Sequence, residues 1–353
     1  MLTARTQEMD KVTGLMSVLR WEKTSRPFLR HREFLWQEGH TMHATAEEAR
    51  EFTETMLNVY ADFCENVLAM PVTRGQKTEK EKFNGAEATY TIECMMHDRK
   101  ALQAGTSHYF GDGFAKAFDI MYTDKNNQKV NPHQTSWGVS TRLIGGIIMT
   151  HGDNNGLVLP PKVAPVQVVV LPIAQHKPGV LEAASGLVAR LKAAGLRVKM
   201  DDSDNSMGWK CAEYEMKGVP LRVECGPRDL ENGQVVLVRR NDGEKTVCKI
   251  DDLEAAVKEQ LELVHKGMYE KAKKNLEDHI YVAHSLEEAK ELQEKNGGFI
   301  KTMWCGELEC EMKMKEEAGM SSRCIPFQQE NLGDVCPICG KPAKKMIYWG
   351  VAY

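Results

Sequence analysis

The sequence predicts a multidomain chain that mixes α/β and α+β architecture. Three observations lead there. The pattern of apolar runs changes across a proline-rich junction, Pro160 to Pro165. Beyond it, short apolar runs alternate with amphipathic segments, as in an α/β layer. Near the end of the chain, Cys305 and Cys310 are followed by Cys336 and Cys339, paired at the spacing of a zinc site. A chain of 353 residues has room for two or three domains. The divisions expected are 1–164, an antiparallel-sheet domain with its helices; 165–265, an α/β domain; and 266–353, a zinc-binding α/β domain.

Each element has its own signal. Two short apolar runs on either side of a charged connection containing Pro27 read as a strand, a loop and a second strand. Thr45 to Leu68 has acidic residues early and apolar residues at helical spacing, so it reads as a long helix opening on a Thr cap. Thr89 to Met95 alternates as a strand, and Ala115 to Tyr122 and Ile144 to Met149 supply further apolar segments of the sheet and its flanking helix. After the junction, Val166 to Pro172 is a buried strand, Val180 to Ala194 a helix closed by Gly195, and Leu196 to Met200 a second strand. Helix Met207 to Lys217 and strands Leu221 to Cys225, Val235 to Arg239 and Lys245 to Lys249 follow, the last two joined by an Asn241-Asp242-Gly243 turn. Leu253 to Lys274 is a charged connecting helix.

Composition narrows the function classes. The net charge is −4, so no global basic field announces a nucleic-acid partner, and any such partner must be met by local patches. No run of about 18 apolar residues exists, so no transmembrane helix and no membrane partner are expected. The first residues, MLTARTQEMDK, lack a secretory apolar core. Ten cysteines in that context point to reduced thiols or metal and to a cytoplasmic location. Four thiolates closing a tetrahedron leave no open position, so Zn²⁺ at Cys305, Cys310, Cys336 and Cys339 would be structural. Cys324 lies between the pairs as the rival ligand, and buried free thiols are the alternative. Cys64, Cys94, Cys211, Cys225 and Cys248 sit in helix or strand patterns and read as core thiols.

The most informative string is TSWGVSTRLIGGIIMTHGDNNGLVLPP, Thr135 to Pro161. It places Arg142 ahead of Gly145, Gly146 and an apolar run, where a planar cationic fork can meet a phosphate and small residues permit close approach. Three other blocks accompany it: Arg20-Trp21-Glu22 followed by Arg30 to Phe34 and LWQEGH; LQAGTSHYFG, Leu102 to Gly111; and GWKCAEYEMKGVPLRVECGPRD, Gly208 to Asp229. In this order, the blocks resemble motif 2, motif 3 and the anticodon-binding domain of class II aminoacyl-tRNA synthetases. The likeness is to prolyl-tRNA synthetases of the archaeal/eukaryotic-like type and covers roughly Val18 to Tyr353.

The resemblance implies ATP-dependent activation of L-proline, transfer to tRNA(Pro), and ATP with Mg²⁺ at the site. Arg20 would grip the α-phosphate region and the carboxylate, Glu22 would accept from the adenine amino group, and Arg30 would lie near the phosphates. Arg142 would hold the γ-phosphate side, with Ser140 beside it. A cross-strand ion pair is the structural alternative for Arg20 and Glu22. Gln103 to Thr106 resemble a Gln-x-Gly-Thr turn whose Gln103 and Thr106 hydrogen-bond ATP. His108 would line the proline pocket, with Glu93, Trp137 and the Glu38/His40 pair beside or behind it; Trp137 and Phe114 read equally well as core. Lys217, Arg222, Glu224 and Arg228 would contact tRNA, against the alternative of a solvated strand edge. Tyr353, closing an aromatic-rich tail, would pack near the active site.

The chain departs from the family ahead of Arg20. Met1 to Ser17 does not resemble motif 1, which builds the family's homodimer, or the Thr-x-Glu loop that holds the proline imino group. Motifs 2 and 3 are too close to hold a bacterial-type editing insertion. The expectation is a chain that binds tRNA(Pro) but activates proline poorly alone. A truncated, inactive tRNA-binding fragment or paralogue is the alternative, and an unrelated zinc-stabilised interaction protein is a third reading.

Overall fold

The computed structural model describes residues 10–353. The first nine residues, which include most of the segment read for a secretory core, lie outside them. In chain order the elements begin with β1 (Asp10–Leu19), β2 (Glu33–His43), α1 (Ala46–Asn66), β3 (Thr73–Gln76), β4 (Ala88–Met95) and β5 (Ala101–Gly111). The short α2 (Gly113–Ala117), β6 (Tyr122–Thr123) and β7 (Lys129–Val130) precede β8 (His133–Ser140) and α3 (Arg142–His151). Next come β9 (Val168–Pro172), α4 (Val180–Ala193), β10 (Val198–Met200), α5 (Met207–Met216), β11 (Leu221–Cys225) and α6 (Pro227–Glu231). β12 (Gln234–Arg239), β13 (Lys245–Lys249) and α7 (Leu253–Asp278) follow. The chain closes with β14 (Ile280–Val282), α8 (Leu286–Asn296), β15 (Phe299–Trp304), α9 (Leu308–Ala318), β16 (Ser321–Pro326) and β17 (Lys345–Gly350).

These elements form two compact units. The first takes in residues up to 64, 71–146 and 275–353; the second takes in 65–70 and 147–274. The first is organised by a ten-stranded sheet in the order β1-β2-β8-β5-β4-β3-β16-β17-β15-β14. Its two halves meet where β16 pairs antiparallel with β3, Ile325 opposite Gln76 and Pro326 opposite Gly75.

Strand pleating decides which side chains go where. Successive residues of a strand point to opposite faces. The pairs Gly39 with Trp137 and Ser107 with Trp137 therefore share one face. Trp36 with Ser140, His40 with Ser136, and His108 with both Ser136 and Thr89 share the other. Helix α1 covers the first face. Thr45 Oγ1 caps it by accepting from the Glu48 N–H at 3.2 Å, Glu47 and Glu48 sit in its first turn, and it buries Ala49, Thr53, Leu57, Tyr60, Ala61 and Cys64 at helical spacing. Trp137 is almost wholly buried there, edge-on to Phe52 at 5.4 Å. Gly39 lies beneath its indole, where a β-carbon would overlap the ring.

Two expectations change. The Gln103 to Thr106 segment is not a turn but the middle of β5, one continuous strand. Gly105 was the misleading residue. It leaves room for Tyr60 and for Val139, whose Cγ1 would stand 3.0 Å from an added β-carbon. Beside it the register shifts between Ile92 and Glu93, so Ala104 is the extra residue of a bulge. Arg20 to Glu22 likewise lie past the end of β1, with the Arg20 N–H bonded to the Arg32 carbonyl at 2.7 Å as the hairpin opens into its loop.

The second unit carries a five-stranded sheet, β10-β9-β11-β12-β13, in which β9 pairs parallel with β10 and β11, and β12 antiparallel with β11 and β13. Strand β9 is a run of fully buried residues, as a strand covered on both faces should be. Val168, Val170, Ala184, Leu187, Leu221, Val223 and Val257 form the main part of its core.

Substituting Gly39→Ala should force the Trp137 ring from its seat. Overpacking of this kind costs about 1–3 kcal/mol, so the thermal midpoint should fall by several degrees. An unchanged midpoint would show that the α1-covered face is looser than described.

Candidate active site and thiol cluster

The open face of β2, β8, β5 and β4 gathers most of the polar residues singled out above. Three arginines converge at one end. Arg20 lies over the rings of Phe34 and Trp36, 5.4 and 5.7 Å from their centroids. Arg30 Nε stands 3.7 Å from a Glu22 carboxylate oxygen, and the Arg32 Nε–H donates to the Glu22 carbonyl at 3.1 Å. Arg142 opens α3. Its backbone N–H donates to Ser140 Oγ at 3.3 Å, and its Nε–H donates to the Leu29 carbonyl at 3.0 Å, tying the start of α3 to the loop between β1 and β2. Burial first, then the charges of Arg30 and Arg20, lower the Arg142 pKa, while Glu93 and Glu22 oppose them. A guanidinium stays protonated regardless, so the cluster carries surplus positive charge suited to a polyanion.

Further along the same face, both ring nitrogens of His108 are engaged. Nδ1 lies 2.9 Å from Thr89 Oγ1 and Nε2 lies 3.1 Å from Thr106 Oγ1. Thr89 Oγ1 also accepts the Phe83 N–H at 3.0 Å, so one hydroxyl ties the Phe83 backbone to the His108 ring. Burial, with a smaller push from His40, lowers the His108 pKa to about 4, so the ring is neutral near pH 7. Phe83 and Phe110 flank it at 5.1 and 5.9 Å. Glu38 and His40 are 3.5 Å apart on the same face, and Gln103 pairs with Glu93 across the bulge. The wall so formed is flat and aromatic with few polar anchors.

Two substrate-pocket expectations are corrected. Trp137 points to the α1-covered face and is core. Glu93 is completely buried and fully occupied. Its Oε1 takes the Lys77 ammonium at 2.7 Å and the Thr91 hydroxyl at 2.9 Å, and its Oε2 takes Arg323 Nε and Nη2 at 3.1 and 2.9 Å. It supports the site from behind and leaves no oxygen for a substrate. Trp36 and Phe83 were not singled out from the sequence. Trp36 Nε1 is buried, and among the described residues it has no hydrogen-bond partner. The signal for Trp36 was the alternation Phe34, Trp36, Glu38, His40; for Phe83, in a loop, no pattern existed.

Tyr353 packs beside the motif 2 loop. Arg26 lies 4.9 Å and Lys100 4.7 Å from its ring centroid, and its hydroxyl bonds to Asp98.

The cysteine pairs come together. The sulfurs of Cys305, Cys310, Cys336 and Cys339 all lie within 4.8 Å of one another, with Cys305–Cys310 and Cys305–Cys339 at 3.6 Å. A tetrahedron with metal–sulfur bonds of about 2.3 Å has edges of about 3.8 Å, so the donor set fits zinc. Cys336 to Lys341 form the knuckle, closed by the Cys336 N–H to the Lys341 carbonyl and the Gly340 N–H to the Cys336 carbonyl, each at 2.8 Å. Cys324 lies in β16 against Gly75, outside the cluster.

In the second unit the four residues expected to meet tRNA do not form one patch. Arg222 and Glu224 project from the same face of β11, bonded to each other at 2.8 Å, with Glu215 3.1 Å from Arg222. Lys217 pairs with Glu213 at the end of α5. Arg228 is exposed on α6, past the opposite end of β11. Arg222 instead borders a cleft of about 440 Å³ with Arg239, Arg240 and Lys245. The three arginines are countered: Arg239 by Asp242 at 3.0 Å, and Arg240 by both oxygens of Asp153 at 2.7 Å.

Comparison with known proteins fits this geometry. Residues 10–151 match the tRNA synthetase class II core domain (G, H, P, S and T), 167–260 the anticodon binding domain, and 286–353 the prolyl-tRNA synthetase C-terminal domain. The chain is 63% identical over 337 residues to the proline--tRNA ligase of Lachnospira eligens and 62% to that of Clostridium novyi, covering 96% of this chain and 70% of each relative. It is 60% identical to proline--tRNA ligase 2 of Bacillus cereus, covering 71% of that protein. The chain belongs to the prolyl-tRNA synthetases. Members of this class II family use ATP, consistent with the arginine cluster on the open face. Among the described residues no helix is long and apolar enough to cross a membrane.

Two predictions follow from the site. Replacing Cys336 and Cys339 together by Ser should remove bound zinc, measured by metal analysis, and lower the unfolding temperature; retained zinc would contradict the ligand set. His108 titrates at about 4 when folded against about 6.5 unfolded. Between those values the unfolded chain binds more protons, so stability falls as pH drops from about 6.5 toward 4. Buried His151, also lowered to about 4, acts with the same sign. The urea midpoint should therefore drop less between pH 7 and pH 5 in His108→Gln than in the wild type. Equal drops would place His108 in a more solvated setting.

Proposed function

We propose that this chain activates L-proline with ATP, releasing pyrophosphate, and transfers the prolyl group to tRNA(Pro). The observation that carries the reading is the convergence of Arg20, Arg30 and Arg142 at the end of a flat, aromatic wall holding a neutral histidine. The proline carboxylate attacks the α-phosphorus, and negative charge grows on the phosphates as pyrophosphate leaves. Fixed guanidinium groups stabilise that charge without reorganising. In this reading Arg20 spans carboxylate and α-phosphate, Arg30 and Arg142 hold the outer phosphates, and Ser140 orients Arg142 through its backbone. Glu22 reads the adenine amino group, and Gln103 and Thr106 face the nucleotide. Mg²⁺, when bound with ATP, would neutralise phosphate charge. His108, kept neutral and held by Thr89 and Thr106, presents an uncharged edge beside Phe83 and Phe110, which suits an apolar pyrrolidine ring.

The zinc would be structural, since a four-cysteine set leaves no open coordination position. The anticodon-type unit would bind tRNA through Arg222, Glu224, Lys217 and Arg228, with Arg239 and Arg240 exchanging their carboxylate partners for phosphate. The division into catalytic, anticodon-binding and zinc-binding regions near residues 164 and 265 belongs to the same reading, as does a cytoplasmic setting in which the thiols stay reduced. Association as the family's homodimer belongs to the same reading: among the described residues β1 ends the sheet order, and Leu15 and Leu19 on it are 83% and 76% exposed.

Proline-dependent ATP–pyrophosphate exchange tests the reading. It should be measurable with proline and absent with alanine. Arg142→Ala should weaken ATP binding about tenfold or more, because a charge-assisted contact is worth roughly 1.5–3 kcal/mol. Unchanged calorimetric ATP affinity in that variant would remove Arg142 from the site.

A further inference from the structure

A second buried polar group lies where β16 pairs with β3, and it bears on the segment between β3 and β4. That segment, Lys77 to Glu87, ends its first turn at Phe83, the ring beside His108. Thr78 is its anchor. The Thr78 carbonyl accepts the N–H groups of Glu81 and Lys82 at 3.1 and 2.9 Å, which shapes the turn. The Thr78 hydroxyl accepts the Glu81 N–H at 3.4 Å and donates to Glu311 Oε1 at 3.0 Å. Glu311 is buried in α9, and the same oxygen accepts the Ser322 hydroxyl of β16 at 2.5 Å, while Lys80 Nζ stands 3.9 Å away. One residue before Thr78, Lys77 Nζ reaches the Arg323 carbonyl at 2.8 Å as well as Glu93. The base of the segment is therefore fastened through its side chains to Glu311, Arg323 and Glu93, and through the Lys77 N–H to the Thr89 carbonyl at 2.8 Å.

We propose that Glu311, with Ser322, is a positioning residue for the amino-acid pocket: it holds Thr78 so that the 77–83 turn presents Phe83 to His108. The inference rests on the reading of His108 as lining the proline pocket. The route is short and made of discrete contacts. Glu311 fixes Thr78. Thr78 sets the turn. The Phe83 N–H at the end of the turn bonds to Thr89 Oγ1, the same atom that bonds to His108 Nδ1. Loosening Glu311 would disturb the Phe83 ring and the partner of His108 together. Among the described residues, the bonds and ring contacts given above for the arginine cluster run elsewhere, to Leu29, Ser140, Glu22, Phe34 and Trp36. Proline recognition should thus depend on Glu311 while ATP recognition does not. A merely structural role would affect both alike.

Arg323 is a poor place to test this, since removing it strands the buried Glu93 charge and risks unfolding. Glu311 offers a graded pair of variants. Glu311→Gln keeps an oxygen that accepts from Thr78 and Ser322, and Glu311→Ala removes it. In pyrophosphate exchange by the full chain, Glu311→Ala should raise the proline KM about tenfold or more with the ATP KM within about twofold, and Glu311→Gln should stay near the wild type. Hydrogen exchange followed by mass spectrometry gives a readout that needs no activity. The peptide spanning 77–87 should exchange faster in Glu311→Ala and at the wild-type rate in Glu311→Gln, with the β5 peptide 101–111 unchanged. Unaltered exchange at 77–87, or a proline KM that moves no more than the ATP KM, overturns the proposal. Absence of any proline-dependent exchange in the wild type would count against the functional reading instead, and the hydrogen-exchange comparison would still decide whether Glu311 holds the turn.

Discussion

Everything at the candidate site depends on the register between β2, β8, β5 and β4. Because side chains alternate between faces, one shared register sends Gly39, Trp137, Ser107 and Tyr109 toward α1 and sends Trp36, Ser140, Thr106 and His108 to the open side. A slip of one residue at any pair would exchange the two sets, placing a histidine under the helix and an indole in the site. Two local devices hold the register. Gly39 gives way to the Trp137 ring and to no larger side chain, and the extra residue at Ala104 corrects the phase of β5 so that Gln103 and Thr106 share a face. The packing of the covered face is thus the cause of the chemistry on the open one.

The open face is electrically divided. At the β2–α3 end, three guanidinium groups share few counter-charges, and burial raises the cost of leaving Arg142 without an anion. At the β4–β5 end, burial does the reverse to His108 and keeps it neutral. A substrate with a polyanionic part and a small apolar part suits this arrangement, and a nucleotide joined to an imino acid has both. Behind the neutral end, charge is buried in compensated form: Lys77 and Arg323 surround Glu93, and polar partners surround Glu311. That compensation is what allows β3 and β16 to meet at a polar seam within one sheet.

Much of this was legible in the sequence, and the parts that were not have physical reasons. The long helix α1, the alternating strands and helices from β9 to β13, and the four-cysteine cluster each carry a local signal: a cap with helical spacing, buried β-branched runs, paired thiols. The arginines were found through motif resemblance, because a single arginine has no local pattern. Gln103 to Thr106 were misread as a turn because Gly105 suggests one, whereas that glycine makes room for Tyr60. Trp137 and Glu93 were placed near substrate because face and burial depend on register and on partners more than 200 positions away, as with Arg323. The Glu311–Thr78 bond and the pairing of β16 with β3 are contacts of the same long-range kind. In the second unit, Arg222 and Glu224 were read as free to meet RNA, yet two residues apart on a strand they pair with each other.

The most direct test of the account is a crystal structure of the chain with a non-hydrolysable sulfamoyl analogue of prolyl-adenylate. The account predicts the analogue on the open face of β2, β8 and β5. Its phosphate mimic should lie against Arg20 and Arg142, its adenine toward Glu22, and its pyrrolidine ring beside Phe83 and His108, with Glu93 and Trp137 untouched. Density away from this face, or a pyrrolidine ring bound directly by Glu93, would contradict it.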